Sequence, residues 1–158
     1  MNETKTNVMR ILDKLKIEYK TYFYESDDGK IDGLSVANKL SKSPETVFKT
    51  LVTKGAKNYY VFVVPVLKEL NLKACAKAVD EKSVEMIKTT DLMKVTGYIR
   101  GGCSPIGMKK PFITVIDKSL EELPFVTLSG GKIGCQIELS PSDLKVAVPY
   151  KTECITAD

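Results

Sequence analysis

Apolar and polar positions repeat along this chain with two different periods. Val8, Ile11, Leu12 and Leu15 recur at helical spacing behind Thr4 or Thr6 as a cap, which predicts an amphipathic first helix. Tyr19 to Tyr24 is rich in aromatics and predicts a strand, closed by the polar turn Ser26-Asp27-Asp28-Gly29. Leu34, Val36, Ala37 and Leu40 predict a short helix. Ser43-Pro44-Glu45 then supplies an N-cap, a proline for the first helical position and an acid for the first turn. Val47 to Thr53 and Tyr59 to Val64 are β-branched and aromatic runs that predict a hairpin across Lys54-Gly55-Ala56-Lys57-Asn58. Asn71 caps a predicted helix from Leu72 to Val79, and a second short helix follows Thr90 and ends near Gly97. Ile113 to Ile116, Phe125 to Leu128 and Gln136 to Leu139 predict three more strands, after which Ser140-Pro141-Ser142-Asp143 opens a last helix. No βαβ period, internal repeat or linker breaks this series, so the expectation is one mixed α+β domain spanning residues 1–158.

Thr96 to Pro111 fits neither period. Gly97, Gly101, Gly102 and Gly107 permit backbone angles and close approaches that a Cβ blocks, and Pro105 stiffens the turn. Such a loop presents bare N–H groups to an anionic ligand. Leu128-Ser129-Gly130-Gly131-Lys132 repeats this open-backbone character after a predicted strand; a plain turn is the simpler reading of it. Lys49 is the odd residue of Phe48-Lys49-Thr50-Leu51-Val52. Alternation sets it on the face of Leu51, away from Phe48 and Thr50, as an edge lysine does when it snorkels.

Composition removes more chemistry than it adds. The chain contains no histidine, which takes away the usual general base, the Ser-His and Cys-His couples and the commonest zinc ligand. Cys75, Cys103, Cys135 and Cys154 are far apart and read as small buried hydrophobes, reduced in a cytosol. The N-terminus lacks the apolar core of a signal peptide, and no apolar run reaches the ~20 residues of a membrane span, so a cytoplasmic location is expected. A net charge of +4 is mild, and attracts a polyanion only if lysines such as Lys109, Lys110 and Lys132 cluster.

The segments Tyr24-Glu25, Val47-Phe48-Lys49-Thr50-Leu51, Thr96-Gly97-Tyr98, Gly101-Gly102-Cys103-Ser104-Pro105, Ser129-Gly130-Gly131-Lys132 and Ile137-Glu138-Leu139, in this order, resemble the YbaK family of free-standing aminoacyl-tRNA deacylases. That family is related to the editing domain inserted in bacterial prolyl-tRNA synthetases. The resemblance implies a curved, barrel-like mixed sheet bordered by short helices, and hydrolysis of mischarged aminoacyl-tRNA, with Cys-tRNA(Pro) as substrate. It implies Lys49, Gly101 and Ser129 as catalytic residues. Tyr24, Tyr98, Gly102, Cys103, Ser104, Pro105, Gly130, Gly131 and Lys132 follow as the substrate-binding set. No metal or organic cofactor is implied, and prolyl-tRNA synthetase is implied as a transient partner. Cys103 and Cys135 stand where the family has apolar residues, Gln136 where it has an aspartate, and the loop after Tyr24 is shortened.

The implied chemistry agrees with a histidine-free chain. Backbone N–H groups of the loop stabilise the oxyanion, worth about 3–4 kcal/mol per donor. The substrate's own thiol attacks its ester, or a bound water does. Lys49 orients the tRNA 3′ end, Tyr24 and Tyr98 flank the terminal adenosine or the aminoacyl group, and Ser129 hydrogen-bonds the substrate. The same residues also admit a non-catalytic module that grips a tRNA acceptor end or a nucleotide, and a thiol hydrolase using Cys103.

Overall fold

The computed structural model describes residues 5–157, so the Thr4 alternative for the first cap lies outside the described residues. Thr6 fills that role: its hydroxyl accepts from the Met9 N–H at 3.2 Å and starts α1 (Asn7–Lys14), which buries Val8, Met9 and Leu12. Leu15 falls just past the helix and stays exposed. β1 (Lys20–Phe23) precedes α2 (Gly33–Lys39), whose cap is Asp32. Pro44–Thr46 forms one 3-10 turn rather than a helix: the chain turns extended at Val47, and the Ser43 hydroxyl binds the Glu45 carboxylate instead of capping backbone. β2 (Phe48–Lys54) and β3 (Tyr59–Pro65) make the predicted hairpin, closed by a Gly55 N–H to Asn58 carbonyl bond of 2.8 Å.

β4 (Glu69–Leu70) leads into α3 (Leu72–Ala78), whose Ala74 N–H is capped by Asn71 at 3.1 Å. β5 (Glu85–Met86) is followed by α4 (Thr89–Thr96), which Gly97 ends at a φ of 90°. The chain closes with β6 (Ile113–Asp117), a 3-10 helix (Lys118–Glu122), β7 (Val126–Ser129), β8 (Cys135–Leu139), α5 (Pro141–Ala147), β9 (Lys151–Glu153) and β10 (Thr156–Ala157). Two- and three-residue strands such as β4, β5, β9 and β10 are too short to show an alternation in sequence, and pairing alone defines them.

Five strands form a mixed sheet in the order β5-β2-β3-β6-β9, three form an antiparallel sheet β1-β8-β7, and β10 pairs with β4. Among the described residues a single parallel bridge, Val47 to Thr127, ties the two larger sheets at the β2/β7 corner. The expected barrel-like curvature therefore resolves into two sheets meeting at a corner, with no closed barrel among the described residues.

The main core fills the angle between these sheets. Phe48 and Val52 of β2, Val61 and Val63 of β3, Ile116 of β6, Leu128 of β7 and Ile137 of β8 meet Val8 and Leu12 of α1 there. A smaller cluster of Tyr60, Phe62, Val64 and Val115 covers the other face of the larger sheet, under Cys75 and Ala76 of α3.

Candidate active site

β7 and β8 have two unlike faces. Val126, Leu128, Ile137 and Leu139 point into the main core and are at most 1% exposed. Thr127, Ser129, Gln136 and Glu138 alternate onto the opposite, outer face. Register sets Ser129 opposite Gln136 and Gln136 opposite Tyr22, with Thr127 and Glu138 paired in the next row. Opposed residues on one sheet face have Cβ atoms ~5 Å apart, so these side chains are neighbours.

This outer face is polar yet covered. Thr127 is 1%, Gln136 6% and Ser129 9% exposed. Thr127 Oγ1, Gln136 Oε1 and the Tyr24 hydroxyl are buried without a hydrogen-bond partner among the described residues. A buried polar group left unpaired costs about 1–3 kcal/mol, so three around one sheet face mark a surface shaped for something other than stability.

Lys49 reaches the same side. The Val47–Thr127 bridge is parallel, so two residues farther on Lys49 follows Val47 and Ser129 follows Thr127, each on the side of its predecessor. The alternation read from sequence is observed: Phe48 and Val52 enter the main core, whereas Lys49 lies on the other face and is half-buried. Its Nζ stands 3.6 Å from a carboxylate oxygen of Glu69, whose side chain is 81% exposed. An ion pair this loose and solvated is worth little and yields readily to a ligand oxygen.

The two glycine loops are in backbone contact. A Cβ on Gly102 would stand 3.0 Å from the Lys132 Cα and 3.1 Å from the Ile133 nitrogen, so only glycine permits this approach. Gly101, at φ 89°, faces Ile31 and Ile133. The Gly131 N–H donates to Ser129 Oγ at 3.1 Å, which ties the turn to the outer-face serine. The structure thus brings Gly101, Gly102, Ser129, Gly130 and Gly131 together, with Lys132 exposed at the rim.

Other expected binding residues have internal roles. Tyr98 is buried in the main core and its hydroxyl donates to the Ile106 carbonyl, so it braces the loop from within and offers no face to an adenine. Ser104 is fully buried and accepts from the Ile106 N–H at 3.2 Å; Pro105 is buried beside it. Burial pushes the Cys103 thiol up to about 12, against a smaller downward pull from Thr96. Such a thiol is neutral at physiological pH and makes a poor nucleophile. Tyr24 keeps a half-exposed ring, with the Lys39 ammonium 5.8 Å from its centre.

A further group on this face escaped sequence reasoning. Lys42 Nζ lies 2.8 Å from Glu138 Oε2, the Tyr22 hydroxyl donates to Glu138 Oε1 at 3.2 Å, and Lys42 sits 4.2 Å from the Tyr22 ring centre. Burial alone would raise the Glu138 pKa, but the Lys42 bond and charge and the Tyr22 hydroxyl outweigh it and hold the carboxyl below its ordinary value. Glu138 thus stays ionised with its charge compensated by Lys42, and this face gains no free carboxylate from it. The available signal was alternation: Thr127, Gln136 and Glu138 are polar positions in otherwise apolar strands.

An α+β fold of two cornered sheets, with a covered, histidine-free polar sheet face beside two interlocked glycine loops, defines the site. The chain belongs to the aminoacyl-tRNA editing domain family, whose model matches residues 34–146. A relative from Enterococcus faecalis, EbsC, named as a Cys-tRNA(Pro)/Cys-tRNA(Cys) deacylase, is 45% identical over 140 residues, covering 88% of this chain and 85% of the relative. Two solved structures share the fold. The hypothetical protein APE2540 has a TM-score of 0.87 at 21% identity, over 96% of this chain and all (100%) of that one. A protein described as a trans-editing enzyme for prolyl-tRNA synthetase has a TM-score of 0.82 at 18% identity, over 98% of this chain and 100% of the other.

Proposed function

We propose that this editing domain acts in trans as a hydrolase on Cys-tRNA(Pro), in the cytoplasm and in transient company with prolyl-tRNA synthetase. The observation that carries the reading is the outer face itself: three buried, unpartnered polar atoms on Tyr24, Thr127 and Gln136 surround Ser129 and lie on the side that Lys49 reaches. The 45% identity to EbsC supports the choice of cysteinyl substrate. A synthetase pocket built for proline discriminates against the small cysteine by only about 1–3 kcal/mol, so a second site is needed.

In this mechanism the substrate thiol attacks its own ester carbonyl. A carbon–sulfur bond forms, the bond to the ribose oxygen breaks, and the thiol proton passes through solvent to the leaving hydroxyl of the tRNA. Water then opens the four-membered thiolactone to release cysteine. Gly102 commits its N–H to the Ile99 carbonyl at 2.9 Å, so oxyanion stabilisation falls to the neighbouring N–H groups of Gly101 and Cys103. Lys49 exchanges its Glu69 contact for a phosphate or ribose oxygen of the 3′ end, and Ser129 hydrogen-bonds the aminoacyl group. A neutral Cys103 takes no part as nucleophile.

A deacylation panel of Cys-, Ala-, Ser- and Pro-tRNA(Pro), run with wild type and Lys49→Ala, tests this reading. Cys-tRNA(Pro) should be cleaved fastest and Lys49→Ala should be severely slowed. Equal cleavage of the cysteinyl and seryl esters would exclude thiol assistance, and tight tRNA binding without cleavage would make the domain a binding module.

A further inference from the structure

A well-formed groove lies away from Lys49 and Ser129. It measures about 610 Å³ and lies between the far end of the glycine-rich loop, the start of β6 and the α5–β9 connection. Its walls combine Met108, Phe112 and Ile113 with Tyr150, Lys110 and Lys151. Ile113 is 55% exposed, and Lys110 and Lys151 are exposed too. Every charged residue in the lining is a lysine. Lys145 adds a third cation at the edge, 5.3 Å from the Tyr150 ring centre. Two acids bear on this edge: Glu153, whose contact with Lys151 is a loose 3.9 Å between half-exposed side chains, and Glu121, whose charge acts on Tyr150.

We propose that this groove is a second tRNA contact, holding the ribose–phosphate strand of the acceptor arm behind the ester. The charge pattern favours a polyanion, and flat rings beside lysines suit a nucleic-acid strand, which aromatic stacking and cation contacts hold with little regard to sequence. Placement agrees with this. One loop serves both regions: Gly101 and Gly102 pack against the Ser129 turn, while Pro105 and Gly107 line the groove. Lys49 is level with Val64 on β3, and Ile113 with Tyr60 two strands away. At strand spacings of ~4.8 Å and rises of ~3.3 Å per residue, groove and lysine are ~16 Å apart, a span that a few nucleotides of the 3′ strand bridge. The proposal rests on the deacylase reading for the identity of the strand.

The test is the double charge reversal Lys110→Glu/Lys151→Glu. It is read with full-length Cys-tRNA(Pro), with the cysteinyl ester of the terminal CCA trinucleotide, and with uncharged tRNA by fluorescence anisotropy. For full-length substrate KM should rise about tenfold with kcat unchanged, and the trinucleotide ester should be cleaved at the wild-type rate. The log–log salt dependence of tRNA binding should become shallower by about 1–2, as expected for losing two phosphate contacts. Unchanged tRNA binding and KM overturn the proposal, as does an equal loss on tRNA and trinucleotide. A variant that handles tRNA normally but no longer binds prolyl-tRNA synthetase would reassign the groove to a protein surface. If wild type cleaves neither ester, the deacylase reading falls by itself, and anisotropy alone still decides whether the groove holds tRNA.

Discussion

The two faces of β7 and β8 come from the same nine residues of backbone and could hardly differ more. On the inner face Val126, Leu128, Ile137 and Leu139 are sealed against α1 and β2, and each buried side chain of this kind contributes about 1.5–3 kcal/mol. On the outer face Thr127 and Gln136 are also buried but have polar atoms with no partner among the described residues. Burial thus has opposite meaning on the two sides. One face holds the fold together, and the other keeps hydrogen-bonding capacity that only a ligand can use.

Substitutions on the two faces should therefore separate stability from activity. The largest stability loss is expected from Leu128→Ala on the inner face, about 3–5 kcal/mol in urea unfolding. Lys49→Ala should do the reverse, leaving unfolding within about 0.5 kcal/mol of wild type. Its kcat/KM should fall about 100-fold, equivalent to about 2.7 kcal/mol of transition-state binding. Thr127→Val removes an unpaired hydroxyl at nearly constant shape, so it should leave stability unchanged or raised by about 1 kcal/mol while slowing the reaction. A large destabilisation by Thr127→Val would erase the distinction between the faces.

The Lys42–Glu138 pair adds a pH-dependent version of the comparison. Because the folded carboxyl titrates below its ordinary value of 4.5, the stabilisation is fully present above that pH and is lost as pH falls through the lowered folded value. Lys42→Met should flatten this acid-side loss in unfolding curves recorded from pH 3 upward. The smallest effect is expected at Cys103: with its thiol pushed up to about 12, Cys103→Ala should keep the deacylation rate within about twofold of wild type.

Sequence patterning carried most of the fold because the long elements have one buried face each. The first helix, the β2–β3 hairpin and the Asn71 and Ser140 caps can all be read from periodicity and capping chemistry. Pro44 misled because the chain turns extended at Val47 and the preceding serine turns its hydroxyl to Glu45. The site was legible as a set of residues but not as an arrangement. Tyr98 reads like a pocket aromatic, and only the packing shows that its hydroxyl is committed to Ile106. Thr127 gave no motif and Gln136 stood out only as a departure from the family's aspartate, since their meaning comes from register against Glu138, Ser129 and Tyr22.

Lys49 and Ser129 are carried by different sheets, and among the described residues one backbone rung, Val47 to Thr127, joins those sheets at that corner. Their spacing is therefore set by that rung and by the core packed beneath it rather than by a continuous ladder. Fraying of that rung is a local event, cheaper than global unfolding, and it would shift Lys49 from Ser129 before the main core beneath them opens. Catalysis should fail in mild denaturant before the far-ultraviolet circular dichroism changes, and the amide protons near Val47 and Thr127 should exchange ahead of those in β3. A cross-link between β2 and β7 would then extend the working range of the pocket without adding anything to its chemistry.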